Sequence, residues 1–497
     1  MEKKKSSKYQ KAIYKAFQLT KRDINISAVA GSGKTTTLLE LLKFVPIGMK
    51  TLFLAFNKSI VEELKNRNEN KEATIMTIHS CGWRAIMIRY GSRAKMNPNK
   101  TIAKTEIVLE QNKIPAKRYS YFFYVIPKLL DLMRCNMTEN TLEAIRELAM
   151  YYDVDIDDDD IPIVQSAFKL LISDKSQFDF MDMIYVPVTD PSVRLKKYDY
   201  VFCDESQDFS ICQHEFIKHC INRRGRLITV GDGNQAIYGF AGADANSYDK
   251  LASINGKAIR LPLSVSYRCA KAIVLEAQKY VPSISYAPNA EEGKVDIKSL
   301  TTIREGDWIL CRNLKPLIQA YLWLIKNKIK CKIRGKDIAE NIVNLIRKTG
   351  AKTLDGLMNA LEIERNKLLD KLTKKGVRKP SLHPKMEALE QKQEVIAFLS
   401  DEVTSVYGLI KLLEGIFSDD TDGILLSTIH KAKGLENERI FFICPELIPS
   451  KYATQDWQIE QEYHLKYVAI TRAKKELIYV TQSVFDNDLM SKVIIDK

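Results

Sequence analysis

Short apolar, β-branched runs recur along the chain, each ending on glycine, polar or acidic residues. In the first half they are Ile24–Val29, Thr51–Phe56, Thr74–Ile78, Tyr198–Cys203 and Leu227–Val230. Segments with helical spacing, such as Thr36–Phe44 and Ser59–Asn66, lie between them. Alternating strands and helices predict a parallel sheet with ligands at the carboxyl ends of its strands. A second series, Trp308–Cys311, Gly423–Leu426, Ile440–Cys444 and Leu477–Val480, predicts a second parallel sheet. Each series is interrupted by a long helical stretch, between Ile78 and Tyr198 and between Arg334 and Gly423, the latter including the Lys-rich run Lys371–Lys385. Both are too long for loops inside a compact domain, so they read as inserted helical subdomains. The expected class is α/β, with two parallel-sheet domains, each carrying a mainly helical insertion. The expected boundaries are 1–84 and 176–262 for the first domain, with 85–175 inserted. They are 263–334 and 421–497 for the second, with 335–420 inserted.

A length of 497 residues agrees with more than one domain. The apolar share of 45% and charged share of 28% are ordinary for a water-soluble fold and exclude no enzyme class. Charge changes the picture more. Lys+Arg 76 against Asp+Glu 62 leaves +14, which fits a polyanionic partner, nucleic acid being the commonest, and equally a merely solvated basic surface. The basic start Met1-Glu2-Lys3-Lys4-Lys5 is not followed by an apolar stretch, so neither a signal peptide nor a membrane span is expected. The 9 cysteines include no Cys-x-x-Cys pair and read as reduced thiols of an intracellular protein, in the cytoplasm or wherever its nucleic acid resides. Cys212, His214, His219 and Cys220 do not share a helix face and lack zinc spacing. The acidic run Asp153 to Asp160 lacks the glycine and closing glutamate of a calcium loop. About twenty residues follow Arg472, too few for a further domain of usual size.

Ala28-x-x-x-x-Gly33-Lys34-Thr35 is a P-loop with Ala in place of the first glycine, set between a strand and a helix. Backbone amides and the helix N-terminus hold phosphates, Lys34 reaches the β/γ-phosphates, and the Thr35 hydroxyl ligates Mg²⁺. Tyr198–Cys203 runs into Asp204-Glu205-Ser206-Gln207-Asp208, an apolar strand ending in two acids. Asp204 suits Mg²⁺ and Glu205 suits polarisation of an attacking water. Further on, Gly231–Phe240 offers Gln235 as a sensor of the γ-phosphate, with Tyr238 and Phe240 as base-stacking residues or, on the plainer reading, core aromatics. Tyr467–Ala473 supplies Arg472, an arginine for the same triphosphate from a distant part of the chain. A small-molecule P-loop kinase needs no such second sheet.

Taken in order, these segments resemble a superfamily 1 helicase of the UvrD/Rep type. Phe56-Asn57-Lys58, Thr77-Ile78-His79-Ser80, Ser266-Tyr267-Arg268 and Thr428–Glu436 complete the series, which runs from Gln10 nearly to the end. Gln177–Pro187, with Asp179, Phe180 and Asp182, resembles the family's short acidic element. The resemblance implies two RecA-like domains. It implies ATP held by Gln10, Ala30, Gly31, Ser32, Gly33, Lys34, Thr35, Thr36, Tyr267 and Glu436, with Gln10 on the adenine edge, Tyr267 stacked on the base and Glu436 on the ribose. Mg²⁺ falls to Thr35 and Asp204. Catalysis falls to Lys34, Glu205, Gln235, Arg268 and Arg472, both arginines contacting the γ-phosphate. Phe56, Asn57, Lys58, His79, Tyr238, Phe240 and His430 are implied contacts to single-stranded DNA. The implied activity is ATP-dependent 3′–5′ translocation on single strands and unwinding at junctions, in replication, repair or recombination. A protein-stripping translocase, an RNA helicase and a non-hydrolysing ATP-gated binder are the alternatives. This chain departs from the family at Phe240-Ala241, where Trp-Arg is usual, at Ser266, where Asn is usual, and at His464, where Arg is common.

Overall fold

Central strands of the first half are apolar on both sides, and the structure buries them on both faces. It is a computed structural model that describes residues 6–55, 58–68, 70, 72–152, 154–244, 246–374, 380–417 and 423–490. Contacts divide the chain into two units, Met1–Ser264 and Val265–Lys497. The first contains β1 (Ile24–Ala28), β2 (Thr51–Ala55), β3 (Thr74–Thr77), β4 (Lys95–Met96), β5 (Gln177–Phe178), β6 (Tyr198–Cys203), β7 (Ile221–Gly231) and β8 (Ile259–Leu263). Six of these form one sheet in the order β3-β2-β6-β7-β1-β8, and β4 pairs with β5 apart from it. Every pairing is parallel.

Alternation along the strands sends Phe53 and Phe202 into a core with Ile13, Phe17, Leu38 and Leu42. Their neighbours Leu52, Leu54, Val201 and Cys203 enter a second core with Ile78, Phe216 and Ile217. Register then decides where the chemistry falls. Leu54 lies beside Cys203 and Ser27 beside Gly231, so the P-loop, Asp204 and Asp232 all leave the sheet at its carboxyl edge. Between β4 and β5 lie helices Lys100–Gln111, Tyr119–Asn136, Leu142–Tyr151 and Ile161–Ser173. They close on a core of their own around Phe122, Leu129, Ile145, Val164 and Phe168.

The second unit contains β9 (Val265–Ser266), β10 (Ser285–Tyr286), β11 (Lys294–Ile297), β12 (Trp308–Cys311), β13 (Cys331–Ile333), β14 (Ile424–Thr428), β15 (Asn437–Ile443) and β16 (Ala473–Val480). Its six-stranded parallel sheet has the order β11-β16-β15-β12-β14-β13. Here helices Lys336–Thr349, Leu354–Lys374, Pro384–Ser400 and Val406–Ile416 share one core with the sheet. Ile342, Leu361, Ile396 and Leu409 pack in the same cluster as Ile309, Leu317, Leu426 and Phe441. Two parallel sheets with helical insertions are thus present, as expected. Strand β7 begins at Ile221, well before Leu227, and β8, β11 and β13 were not anticipated. All three are edge strands, and β8 carries Pro262, which an edge tolerates because one side of its ladder is unpaired. Among the described residues no helix is long and apolar enough to cross a membrane.

Candidate active site

The loop after β1 is shaped by glycine. Gly31 and Gly33 have φ +69 and +81, a region a side chain strains to enter, and Gly33 caps helix Lys34–Lys43. The helix N-terminus therefore opens on a turn lined by backbone amides. Ser32 is 1% exposed, and its hydroxyl has no hydrogen-bond partner in the structure. A buried orphan hydroxyl in an amide-lined cradle suits an anionic oxygen.

Two acids meet this loop. Lys34 Nζ lies 2.9 Å from Glu205 Oε2, and Thr35 Oγ1 donates to Asp204 Oδ2 at 2.9 Å. The Glu205 amide donates to Asp204 Oδ1 at 2.8 Å. Glu205 adopts φ +52, a strained value for a residue with a side chain, and this turn aims its carboxylate back at Lys34. Burial pushes the Asp204 carboxyl up to about 6, helped by the Glu205 charge and opposed by Lys34 and the Thr35 hydroxyl. Asp232 is raised by the same burial, against the pull of Lys34 and Gln235. Burial disfavours the Lys34 ammonium, yet Glu205, Asp204 and Asp232 together hold its pKa above the ordinary value. Hard oxygens of Thr35 and Asp204 at one point, with a carboxyl that burial makes costly to ionise alone, fit a magnesium-sized cation.

Gln207 is a residue that motif reading passed over. Its Nε2 donates to Glu205 Oε2 at 2.7 Å and its Oε1 accepts from the Asp232 amide at 3.0 Å. It thereby links the acid pair to the loop after β7, where Gln235 Nε2 donates to Asp232 Oδ2 at 2.7 Å. The only sequence signal was a polar residue two positions beyond Glu205. Gly231 must be glycine here, because a Cβ would lie 2.4 Å from Ser206 Oγ. Gln10 sits on the same helix end, its Oε1 accepting from the Ser7 amide at 3.0 Å and its Nε2 donating to Thr37 Oγ1 at 3.1 Å. Thr36 is exposed and accepts from Arg67 at 3.1 Å, and Ala30 is buried beneath the loop.

The second unit gathers its own group. Arg268 is ion-paired to Glu436, which Lys474 also approaches at 3.2 Å. Arg472 is 2% exposed and donates to Val468 O at 3.2 Å and Leu435 O at 3.0 Å. Arg268 and Arg472, about two hundred residues apart, thus meet at Leu435–Glu436. Tyr267 is exposed beside them.

Of the expected strand contacts, Phe56 and Asn57 lie outside the described residues, and Lys58 is exposed at the start of its helix. His79 follows Thr77, whose hydroxyl caps helix Ile78–Tyr90 by accepting from Ser80 N at 3.1 Å. Burial lowers the His79 pKa, so its ring is neutral near pH 7. Its ring lies 6.3 Å from that of Phe180, edge to face, and Phe180 is 57% exposed. Tyr238 is partly buried, whereas Phe240 beside it is 55% exposed, so the plain core reading does not hold for Phe240. His430 opens helix Ile429–Ala432, with its pKa lowered to about 3 by burial and by the charges of Arg312 and Lys433.

Residues 9–254 match the family of the UvrD/REP helicase N-terminal domain. The F-box DNA helicase protein 1 of Schizosaccharomyces pombe is 24% identical over 515 residues, covering 92% of this chain and 55% of that protein. The ATP-dependent DNA helicase PcrA of Staphylococcus epidermidis is 27% identical over 294 residues, covering 54% of this chain and 39% of that protein. PcrA of Staphylococcus aureus is 25% identical over 295 residues. The chain spans about half, or less, of the length of the relatives it matches. It carries a UvrD/REP helicase N-terminal domain and is a distant homologue of these superfamily 1 helicases.

Proposed function

We propose, with that homology as premise, that the chain is an ATP-hydrolysing motor that moves 3′ to 5′ along single-stranded DNA and opens duplex at junctions. Replication, repair or recombination is the setting for such work. The observation that carries the reading is the double pairing at the first sheet's edge, Lys34 with Glu205 and Thr35 with Asp204. These four side chains suit phosphoryl transfer to water, and they converge at one place.

In the proposed cycle the triphosphate lies along the Ala30–Thr36 loop, with Lys34 on its β/γ-phosphates. Gln10 reads the adenine edge, and Tyr267 and Glu436 hold base and ribose. Thr35 and Asp204 would hold Mg²⁺, which neutralises phosphate charge when bound. Glu205 orients and deprotonates the attacking water, and its hydrogen bond from Gln207 keeps it in line. Gln235 reports the γ-phosphate through Asp232 to the Tyr238–Phe240 loop. We assign Arg268 and Arg472 to the γ-phosphate, where guanidinium charge stabilises the developing transition state. The strand would run past Phe56, Asn57, Lys58, His79, Tyr238, Phe240 and His430. Phe180 joins that set because it stands exposed at the edge of His79. Residues 85–175 and 335–420 are the proposed insertions.

Strand-stimulated ATP hydrolysis, compared between single-stranded DNA and RNA, tests the assignment. Unwinding of duplexes with a 3′ or a 5′ tail then tests direction. Stimulation by DNA and a need for the 3′ tail are expected. Preference for RNA would select the RNA-helicase reading, translocation without unwinding the protein-stripping reading, and binding without turnover the ATP-gated reading.

A further inference from the structure

A cluster of buried charges lies away from the nucleotide loop. Arg134, on helix Tyr119–Asn136 of the first helical stretch, is 0% exposed. Its Nη1 donates to Asp179 Oδ1 at 2.7 Å and to Asp182 Oδ1 at 3.0 Å. Its Nη2 donates to Thr101 Oγ1 at 3.1 Å and Asp131 Oδ1 at 2.6 Å, and Thr101 in turn donates to Asp179 Oδ2 at 2.8 Å. Lys100 Nζ completes the set, 2.7 Å from Asp182 Oδ2, both residues 1% exposed.

The two acids also bind one another's backbone. The Asp182 amide donates to Asp179 Oδ1 at 2.8 Å and the Asp179 amide to Asp182 Oδ2 at 3.1 Å. Four residues, Asp179-Phe180-Met181-Asp182, are therefore closed into a turn whose two ends are anchored inward. What remains outside is Phe180, at the edge of His79. The same helix end touches a second aromatic loop. Gly242, φ +91, packs so closely on Cys135 that a Cβ would lie 2.9 Å from Cys135 Cβ, and Gly242 closes the Tyr238–Phe240 loop. One helix end thus lies against the mounts of two exposed aromatics, Phe180 and Phe240.

Apolar packing would hold these elements together at least as well, since buried charges are poor net stabilisers. What a planar guanidinium adds is direction, because its fork fixes where each carboxylate points. We propose that Arg134 is a positioning residue that sets the orientation of Phe180, so that grip on the strand depends on the seating of helix Tyr119–Asn136. The proposal rests on the assignment of Phe180 and His79 as strand contacts.

The test uses the full chain with oligothymidylate as probe, reading the concentration that half-stimulates ATP hydrolysis and the maximal rate. Arg134→Lys keeps the charge but loses the fork. Thr101→Val keeps shape but removes the bridging hydroxyl, and carries the test if Arg134→Lys does not fold. Each should raise the half-stimulating concentration about fivefold or more, the scale of one weakened base stack, with the maximal rate and strand-free turnover retained. Combining either with Phe180→Ala should add nothing beyond Phe180→Ala alone. Multiplying effects, or an unchanged concentration in a folded variant, would overturn the positioning role. If Phe180→Ala alone changes nothing, the strand assignment of Phe180 falls and the inference with it. An absence of stimulation in the parent would overturn the motor reading itself.

Discussion

Glu205 and Lys34 face each other across 2.9 Å, and each is expected to fail differently when replaced. Lys34→Ala removes the charge from the β/γ-phosphates and should abolish turnover while oligonucleotide binding persists, measured by filter retention. Glu205→Gln keeps shape and hydrogen bonding but not basicity. Its nucleotide affinity should hold while turnover falls by ~10²-fold or more. A parent rate in Glu205→Gln would remove the assigned base. Asp204 gives a pH prediction. Its folded pKa, about 6, exceeds the ordinary carboxyl value of 3.8, so the folded state binds more protons between those pH values. Its contribution to stability is greatest below about pH 4 and is lost as pH rises to about 6. Asp204→Asn should therefore melt higher than the parent at pH 7 without nucleotide, and the gain should vanish near pH 4, although turnover is gone. Equal melting at both pH values would count against the strain. The letters of these residues were legible in the sequence. Their coupling through Gln207 and the φ +52 of Glu205 were not, because both depend on strands that only register brings side by side.

Sequence reading found the central strands and the edge strand β3, from apolar, β-branched runs such as Thr74–Ile78 and Trp308–Cys311. It missed the edge strands β8, β11 and β13, whose partial exposure leaves mixed sequences, Ile259–Leu263 even holding a proline. The loop after β7 shows the same limit at a functional place. Spacing alone could not decide whether Tyr238 and Phe240 are core or surface, and the fold exposes Phe240 while partly burying Tyr238. Gly242→Ala should tilt this loop, combining a φ of +91 with a 2.9 Å contact on Cys135, at a cost of about 1–3 kcal/mol in chemical denaturation. Phe240→Ala should weaken stimulation by single strands by the worth of a stacked base, ~1–3 kcal/mol, and abolish unwinding of a tailed duplex. Undiminished unwinding would place the strand elsewhere.

The whole chain carries +14, and most of it has no role at the nucleotide loop. If this surplus contacts phosphates, the logarithm of strand affinity should fall linearly with the logarithm of salt, with a slope near −0.7 per phosphate contact on single strands. A titration flat from low to physiological salt would leave the surplus as surface only. The basic balance was plain from composition, and the division into two sheets from the order of the apolar runs. The way each helical stretch is fastened was not, because it depends on lone buried charges far apart in the chain. In the first unit Arg134 reaches Asp179 and Asp182, and in the second Arg312 reaches Glu387 at 3.2 Å and Glu462 at 2.8 Å.

The pairing of Lys34 with Glu205, and of Thr35 with Asp204, also bears on how the proposed fuel would enter. A phosphate has to compete with Glu205 for Lys34, and a cation at Asp204 meets a carboxylate that Thr35 already holds. An incoming phosphate draws Lys34 away only by leaving two carboxylates close together, and a metal relieves those carboxylates only where phosphate has taken the lysine. Each half makes room for the other, so the chelate is preferred over either part. On the proposed assignment Glu205 would be released to act on water only as the fuel arrives, so that hydrolysis waits for the complete chelate.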